Sequence, residues 1–405
     1  MRTSSVCGVR REPVRIAMIG QKGVPASYGG IEHHVEELGS RLARRGHEVT
    51  VYCRRGYCAA TAATHRGMAL AHVPTIGTKH LDAIVHSALS TVHAMRREPD
   101  VIHFHALGPG LLAPLPRITG RAKVVLTVHG RDDQRAKWSP GARAVLGVAG
   151  WMSATVPDAT IAVSQALADS YASHARHRVV YIPNGAPEDA VPVTDVPGGR
   201  AAPGGALDRL GLDPGRYLLW VGRVVPEKAP DVLLRAYRRV EGDTRLVVVG
   251  GSSFTDAFTA RVRELAAHDR RVCMADYQFG ADLDELYRNA LGFVLPSDLE
   301  GLPLTLLEAV AHGLPIVASA IAPHVEVLGA TSAPGRRLFP RGDERALAAA
   351  LRQLVGDPHG ERRGANAARP EVMARYSWDR AADATERLYE ELLGVHQPSI
   401  PSRAA

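Results

Sequence analysis

Two cations follow an apolar run in the second half of the chain, in positions suited to a diphosphate. The run at residues 217–221 is followed by Gly222, and then Arg223 and Lys228 stand five residues apart. Arginine grips a phosphate through two parallel N–H groups, and lysine acts as a compact point charge. The spacing therefore predicts a diphosphate site, with solvated surface charge as the alternative.

A second loop, at residues 296–308, runs from an apolar strand into a helix and holds two carboxylates. Free backbone amides at a helix start attract an anion, and a carboxylate on the same helix accepts hydrogen bonds from a sugar diol. General acid/base hydrolysis, as in two-carboxylate glycosidases, ranks lower. The candidate residues of this loop are Glu300, Gly301, Leu302, Pro303, Leu304, Thr305 and Glu308.

Two loops in the first half carry further candidates. Gly29 and Gly30 precede a helix, where missing side chains permit the close approach of an anion, although a plain tight turn explains them equally well. His129 follows the strand-like run 123–128, and ligands in open parallel sheets bind beyond the carboxyl ends of strands. We therefore predict a polar role for His129, against a structural role in a chain with 18 histidines.

The elements that must position these loops alternate between short β-rich runs and helical stretches. This alternation is typical of doubly wound parallel sheets. A Pro- and Gly-rich stretch without periodicity separates two such patterns and predicts a linker. The fold class is α/β, with two Rossmann-like doubly wound domains. The predicted boundaries are a disordered tail at 1–13, a first domain at 14–186, a linker at 187–206, a second domain at 207–376, a helix at 377–395 that crosses back to the first domain, and a disordered tail at 396–405.

Composition narrows the class of protein. The 405 residues suit two domains, and 45% hydrophobic with 22% charged residues excludes a largely disordered or fibrous chain. A formal charge of +7 is compatible with three kinds of binding partner: nucleic acid, an anionic membrane face and a phosphorylated ligand. The four cysteines lack zinc-site spacing and suggest reduced thiols. No apolar run suits a membrane span or leader, so we expect a cytoplasmic protein.

Five motifs in this order resemble the glycosyltransferases of family 4, which have the GT-B architecture of two facing Rossmann-like domains. Glu300 and Glu308 match the family's Glu, seven residues, Glu pattern within EGLPLTLLEAVAHGLPIVAS. The donor loop is VGRVVPEK, and IAVSQALADSY and YIPNGAP resemble the end of the first domain. GQKGVPASYGGIEHHVEEL and VHGRDDQRAKWS are similar to the rhamnosyltransferase-like branch of bacterial polysaccharide clusters. The resemblance covers residues 14–393.

The resemblance implies a retaining transfer from a nucleotide-diphosphate sugar to a hydroxyl of a glycan, glycolipid or small molecule, with no cofactor and no bound metal. Arg223 and Lys228 are implied to neutralise the leaving diphosphate. Glu308 is implied to hold the ribose, and Glu300 the hydroxyls of the transferred sugar. His129 is implied to lie beside the anomeric centre.

Three details refine these implications. Gly29 and Gly30 are implied to let the first domain approach the diphosphate, and no Asp-x-Asp metal pair stands near either donor loop. The chain departs from the family's usual Lys-Gly, since Ala229 follows Lys228. Where relatives often have Asp-Trp after His-Gly-x, this chain has Asp132-Asp133. The acceptor is therefore less defined by the resemblance than the donor. The candidate acceptor-side residues are Tyr28, Asp132, Asp133 and Arg135.

Other functions stay open at this point. A GT-B sugar-nucleotide epimerase or phosphorylase uses the same phosphate loops, and a silent nucleotide-sugar-binding subunit keeps the same residues. Basic stretches at 41–45 and 54–55 suit either an anionic membrane surface on the cytoplasmic side or plain solvation. A nucleic acid partner is not expected.

Overall fold

The computed structural model describes residues 12–27, 29–57, 62–75, 82–130, 140–172, 175–253 and 255–394. Packing divides the chain into two compact units. The first unit contains Met1–Thr127, Val156–Ala159 and Thr385–Ala405, and the second contains Val128–Thr155 and Thr160–Ala384. The domain boundaries proposed from the sequence stay predictions.

The first sheet has eight strands in the order β3-β4-β2-β1-β5-β6-β7-β8. The strands β3 and β4 pair antiparallel. The pairs β4–β2, β2–β1, β1–β5 and β5–β6 are parallel. The sequence did not predict this antiparallel pair, because the two-residue β3 and the alanine-containing β4 give little β signal. The bounds are β1 Arg15–Ile19, β2 Glu48–Arg54, β3 Thr64–His65, β4 Met68–Val73, β5 Val101–His105, β6 Lys123–Val128, β7 Ala159–Ala162 and β8 Arg178–Tyr181.

The second sheet lies in the second unit and has six strands in the order β11-β10-β9-β12-β13-β14. Its neighbouring strands pair in parallel, as the alternating pattern predicted. The edge strand β14 was missed because it begins with two arginines. The bounds are β9 Tyr217–Val221, β10 Arg245–Val249, β11 Val272–Asp276, β12 Gly292–Leu295, β13 Ile316–Ser319 and β14 Arg336–Phe339.

Helices occupy most of the connections between strands. Those in the first part of the chain are α1 Gly30–Arg44, α2 Asp82–Met95, α3 Leu107–Gly110, α4 Pro114–Thr119, α5 Pro140–Ser153 and α6 Gln165–Ala172. Those in the later part are α7 Ala206–Leu210, α8 Pro230–Tyr237, α9 Asp256–Ala267, α10 Gly280–Asn289, α11 Leu304–Ala311, α12 Ala322–Leu328, α13 Glu344–Gly356, α14 Pro358–Arg375 and α15 Trp378–Leu393. None of the described helices is long and apolar enough to span a bilayer.

The order of the second sheet explains how its loops come together. The strands β9 and β12 are neighbours although 70 residues of chain lie between Val221 and Gly292. Parallel neighbours end at the same edge of the sheet, so the loops after β9 and β12 begin side by side. A core between the sheet and the helices α8 and α13 fixes both strands, with Trp220, Leu233, Val294 and Leu351 fully buried in it.

Several buried histidines are held in the neutral form. In the first unit, His103 lies between the hydroxyl of Tyr389, 2.6 Å from Nδ1, and the hydroxyl of Thr127, 2.7 Å from Nε2. Burial lowers the pKa of His103 to about 3. Burial also lowers the pKa of His86 to about 4, and that of His324, in the second unit, to about 4. These imidazoles therefore act as uncharged polar groups near neutral pH.

We expect the thermal midpoint of unfolding to decrease as the pH is lowered from about 7.5 to about 5. In the unfolded chain histidine takes up a proton near pH 6.5, whereas these folded histidines stay neutral until about pH 4 or below. The unfolded state then binds more protons, so stability decreases by at most about 1.4 kcal/mol per pH unit for each histidine. Calorimetry of the wild type, of His324→Asn and of the exposed control His359→Asn tests this. A flat midpoint for the wild type, or equal slopes for all three proteins, contradicts it.

Candidate active site

A buried ion pair joins the loops that follow β9 and β12. The Nζ of Lys228 donates to Oε1 of Glu300 at 2.8 Å, and the hydroxyl of Ser297 donates to the same oxygen at 2.8 Å. Only 13% of the Lys228 side chain and 12% of the Glu300 side chain are exposed. Burial pushes the pKa of Glu300 upward, but the charge of Lys228 and these hydrogen bonds hold the pKa below its ordinary value. The site therefore holds an ionised carboxylate.

The backbone of the first loop aims Lys228 at this partner. A short 3-10 helix, Pro226–Lys228, ends at Ala229, whose φ of 47° lies in the left-handed region. The carbonyl oxygen of Glu227 accepts from the amide of Asp298 at 2.8 Å, so the two loops are also joined through backbone. A side chain at Gly222 would displace the stem of Lys228, because a Cβ there would lie 2.9 Å from Cδ of Lys228. The glycine thus leaves room for the lysine stem.

A second layer of polar groups supports Ser297. The hydroxyl of Ser319, at the end of β13, donates to the carbonyl oxygen of Ser297. Behind it, Nδ1 of His324 lies 2.8 Å from the carbonyl oxygen of Ser319. A carbonyl only accepts, so Nδ1 carries the proton of the neutral imidazole. This chain of contacts positions the hydroxyl that binds Glu300.

The start of the helix α11 presents an anion-binding set of groups. The first amides of a helix have no partner within the helix, and Leu304 and Thr305 supply two of them here. The Oγ1 of Thr305 is buried, and no described residue offers it a hydrogen-bond partner. The carbonyl oxygen of Leu302 accepts from the side-chain amide of Asn184 at 3.0 Å, which holds the preceding loop. An oxygen-rich ligand at this helix start would satisfy the Thr305 hydroxyl.

His129 approaches the same loop through its backbone. A Cβ built on Gly301 would lie only 1.9 Å from the carbonyl oxygen of His129 and 3.2 Å from Cα of Gly130. Gly301 therefore permits a close contact between two segments of the second unit. The structure thus brings the backbone of His129 to the residue that follows Glu300.

Two further candidate residues, Arg223 and Glu308, lie on the same unit. Nη1 of Arg223 is 3.5 Å from the hydroxyl of Ser253, at the loop after β10. Glu308, on α11, accepts from the hydroxyl of Tyr287 at 2.8 Å. A cavity of about 450 Å³ opens beside Glu300, with Ser164, Asp298, Leu299, Ile321 and Arg341 among its lining residues.

The remaining candidates from the first half of the chain are only partly described. Gly29 has a φ of 109°, which favours glycine, and Gly30 begins α1. The carboxylate of Glu32 folds back over this turn, since its Oε1 accepts from the amide of Lys22 at 2.9 Å. A Cβ on Gly29 would meet that carboxylate at 2.1 Å. The four acceptor-side candidates, Tyr28, Asp132, Asp133 and Arg135, lie outside the described residues.

Sequence reasoning missed four residues that hold this site: Asn184, Tyr287, Ser297 and His324. Ser297 has a usable signal, because it follows a strand in the loop that was examined. Asn184 stands in the quoted YIPNGAP motif but was given no role. Tyr287 and His324 lie within helices and have no signal of their own, because their partners come from other elements.

Family models match both parts of the chain. Residues 28–190 match the model described as Glycosyltransferase Family 4, and residues 215–357 match the model described as Glycosyl transferases group 1. The candidate residues from Gly29 to His129 fall in the first match, and those from Gly222 to Glu308 fall in the second.

Two similar proteins span nearly the whole chain. An alpha-maltose-1-phosphate synthase of Mycobacterium tuberculosis (strain H37Rv) is 30% identical over 94% of this chain and all of its own length. A D-inositol 3-phosphate glycosyltransferase of Kineococcus radiotolerans is 31% identical over all of this chain and 98% of its own.

Solved structures share the fold. Sucrose-phosphate synthase from Thermosynechococcus elongatus superposes with a TM-score of 0.79 at 22% identity, over 95% of this chain and 100% of that one. Alr3699/HepE of Anabaena, solved in complex with UDP and glucose, gives a TM-score of 0.72 at 16% identity, over 93% and 100%. The predicted GT-B class is confirmed by this likeness.

Proposed function

Because the chain belongs to the family 4 glycosyltransferases, we propose that it transfers a sugar from a nucleotide-diphosphate sugar to an acceptor hydroxyl with retention of anomeric configuration. The observation that carries the proposal is the buried Lys228–Glu300 pair beside the start of α11. A cation, a carboxylate and free helix amides then meet in one place. This combination suits the diphosphate and the hydroxyls of one nucleotide sugar.

Each group has a role in the proposed reaction. Arg223 and Lys228 neutralise the charge that develops on the leaving diphosphate, and the amides at the start of α11 add hydrogen bonds. The buried hydroxyl of Thr305 gains a partner when a phosphate oxygen arrives. Glu300 accepts from hydroxyls of the transferred sugar, which enters the cavity beside it.

His129 lies beside the transferred sugar in this proposal, and its carbonyl oxygen against Gly301 stabilises positive charge that develops on that sugar. The cations take the part that a divalent ion plays in other transferases, so we propose transfer without a metal. We expect a chelator to leave the initial rate unchanged.

A panel of nucleotide sugars tests the activity. Transfer releases free nucleoside diphosphate only when an acceptor is present, and NMR of the product reports the anomeric configuration. Because relatives are named for maltose 1-phosphate and D-inositol 3-phosphate, the acceptor panel includes sugar and polyol phosphates as well as glycans. A changed sugar without nucleotide release would indicate an epimerase. An inverted product would overturn retention.

Glu308→Ala is expected to weaken donor binding about tenfold or more, because a charged hydrogen-bond acceptor for the ribose is removed. Isothermal calorimetry with the donor's nucleoside diphosphate measures the change. Glu371→Ala, at an exposed glutamate on α14, is the matched control. Unchanged affinity in Glu308→Ala would show that Glu308 does not bind the nucleotide.

We also propose that the basic stretches at 41–45 and 54–55 contact an anionic membrane surface, with part of their charge offset within the protein. In the first unit Arg41 pairs with Glu37, Arg54 pairs with Asp82, and Arg45 lies 2.9 Å from Glu386. These ion pairs reduce the charge that the two basic stretches offer to anionic lipids. Sedimentation with liposomes, with and without anionic lipid and at raised salt, measures any binding.

A further inference from the structure

Tyr287 fixes one oxygen of the Glu308 carboxylate. Its hydroxyl donates to Oε2 of Glu308 at 2.8 Å and lies 3.5 Å from the carbonyl oxygen of Thr305. Only 2% of Tyr287 is exposed. Among the described residues no donor is found for Oε1 of Glu308. The carboxylate is thus held by one oxygen and presents the other.

The tyrosine can only donate in this contact. Burial first, and then the charge of Glu308, raise the pKa of Tyr287 well above its ordinary value. The phenol therefore keeps its proton at neutral pH and in mildly basic solution. A protonated hydroxyl facing a carboxylate forms a charge-assisted hydrogen bond, which is stronger and more directional than a neutral one.

The aromatic ring is fixed as firmly as the hydroxyl. The ring of Tyr287 stacks on that of His312, with centroids 5.3 Å apart and an interplanar angle of 5°. On another side it packs against Phe293, at 5.8 Å between centroids. Nε2 of His312 lies 3.5 Å from Oδ1 of Asp284, which comes from the same helix as Tyr287. The helix α10 and the end of α11 therefore hold the hydroxyl in one place.

We propose that Tyr287 is a positioning residue that makes the site selective for ribonucleotides over deoxyribonucleotides, by holding Glu308 with one oxygen turned to the ribose hydroxyls. This inference rests on the proposed role of Glu308 as the ribose ligand. A carboxylate that is already held in place loses little conformational entropy when the ligand binds. Its hydrogen bonds to a diol therefore contribute more of their free energy to affinity. A free carboxylate would discriminate less.

The test compares nucleoside diphosphates with their 2′-deoxy and 3′-deoxy counterparts by calorimetry. The base is the one that binds the wild type best. Tyr287→Phe keeps the ring and its stacking but removes the donor. We expect it to weaken binding of the ribonucleotide about tenfold and to leave binding of a deoxy counterpart unchanged, so that the preference ratio falls by the same factor.

Two controls separate positioning from folding. Tyr217→Phe makes the same chemical change at a buried tyrosine of the second unit, whose hydroxyl donates to the carbonyl oxygen of Leu286 at 2.7 Å. It is expected to leave the preference ratio unchanged. In the double variant Tyr287→Phe/Glu308→Ala, loss of the tyrosine hydroxyl is expected to have no further effect on ribonucleotide binding.

The outcomes distinguish this inference from the proposed function. If Glu308→Ala abolishes the preference for ribose and Tyr287→Phe keeps it, Tyr287 has no positioning role and the proposed function stands. If Tyr287→Phe weakens ribo- and deoxyribonucleotides equally, its role is structural and the inference is overturned. If the wild type shows no preference, or binds no nucleoside diphosphate, the ribose role of Glu308 fails and the inference fails with it.

Discussion

Replacing Lys228 with alanine is expected to lower kcat/KM by a factor of about 10² to 10³, the loss found when one preorganised charge-stabilising group is removed. The same change leaves the buried Glu300 without its cation. Breaking a buried pair by removing one partner costs about 3–5 kcal/mol. Turnover and the free energy of unfolding should therefore both fall.

A double variant separates the two losses. In Lys228→Ala/Glu300→Gln the orphaned charge is gone, so we expect most of the stability to return while turnover stays low. Steady-state kinetics and denaturant titration measure the two quantities. If the double variant recovered turnover together with stability, Lys228 would serve folding alone. If Lys228→Ala bound the donor with unchanged affinity, Lys228 would not contact the diphosphate.

The pair also sets an acid limit for this part of the fold. Because the folded pKa of Glu300 is held below its ordinary value, its contribution to stability is complete above the ordinary carboxyl pKa and is lost as the pH falls through the folded one. In Lys228→Ala the largest cause of the lowered pKa disappears, so the opposing effect of burial shifts the pKa of Glu300 upward.

Replacing Gly301 with alanine is expected to lower kcat about a hundredfold. The new Cβ would lie 1.9 Å from the carbonyl oxygen of His129, so one of the two backbone segments must move. A displacement of about 1 Å at a reacting centre costs a factor of about 10² in rate. Steady-state assays and the thermal midpoint together measure the effect.

The matched control is Gly356→Ala, at the end of α13, where a Cβ would meet no atom within 4 Å. It adds the same methyl group in open space and should leave turnover and stability close to those of the wild type. If Gly301→Ala also retained full turnover, the close approach of His129 would have no part in the reaction.

Strands with continuous apolar runs could be predicted from local pattern. The runs at 123–128 and 217–221 match β6 and β9 residue for residue, because buried parallel strands are continuous apolar stretches between polar turns. The helix predicted at 377–395 is observed at Trp378–Leu393. Elements without such contrast, such as β4 and β14, were not found.

The sequence supplies candidate residues for the site but does not predict the contacts between them. Lys228 and Glu300 were assigned separate ligands, and the sequence does not reveal that they bind each other, since this depends on β9 lying beside β12. Tyr287 was invisible for the same reason, because its partner Glu308 comes 21 residues later on another helix. Pairwise geometry across elements is the information that a single sequence lacks.

The neutral histidines change how the electrical charge of the molecule follows the acidity of its medium. The composition, with 18 histidines and an isoelectric point of about 9.4, suggests a steep gain of positive charge on mild acidification. His86, His103 and His324 do not take part in that gain until about pH 4 or below. The folded enzyme should therefore migrate more slowly in an electric field near about pH 5 than its composition indicates. On unfolding at that pH, these histidines should take up protons and the positive charge should increase.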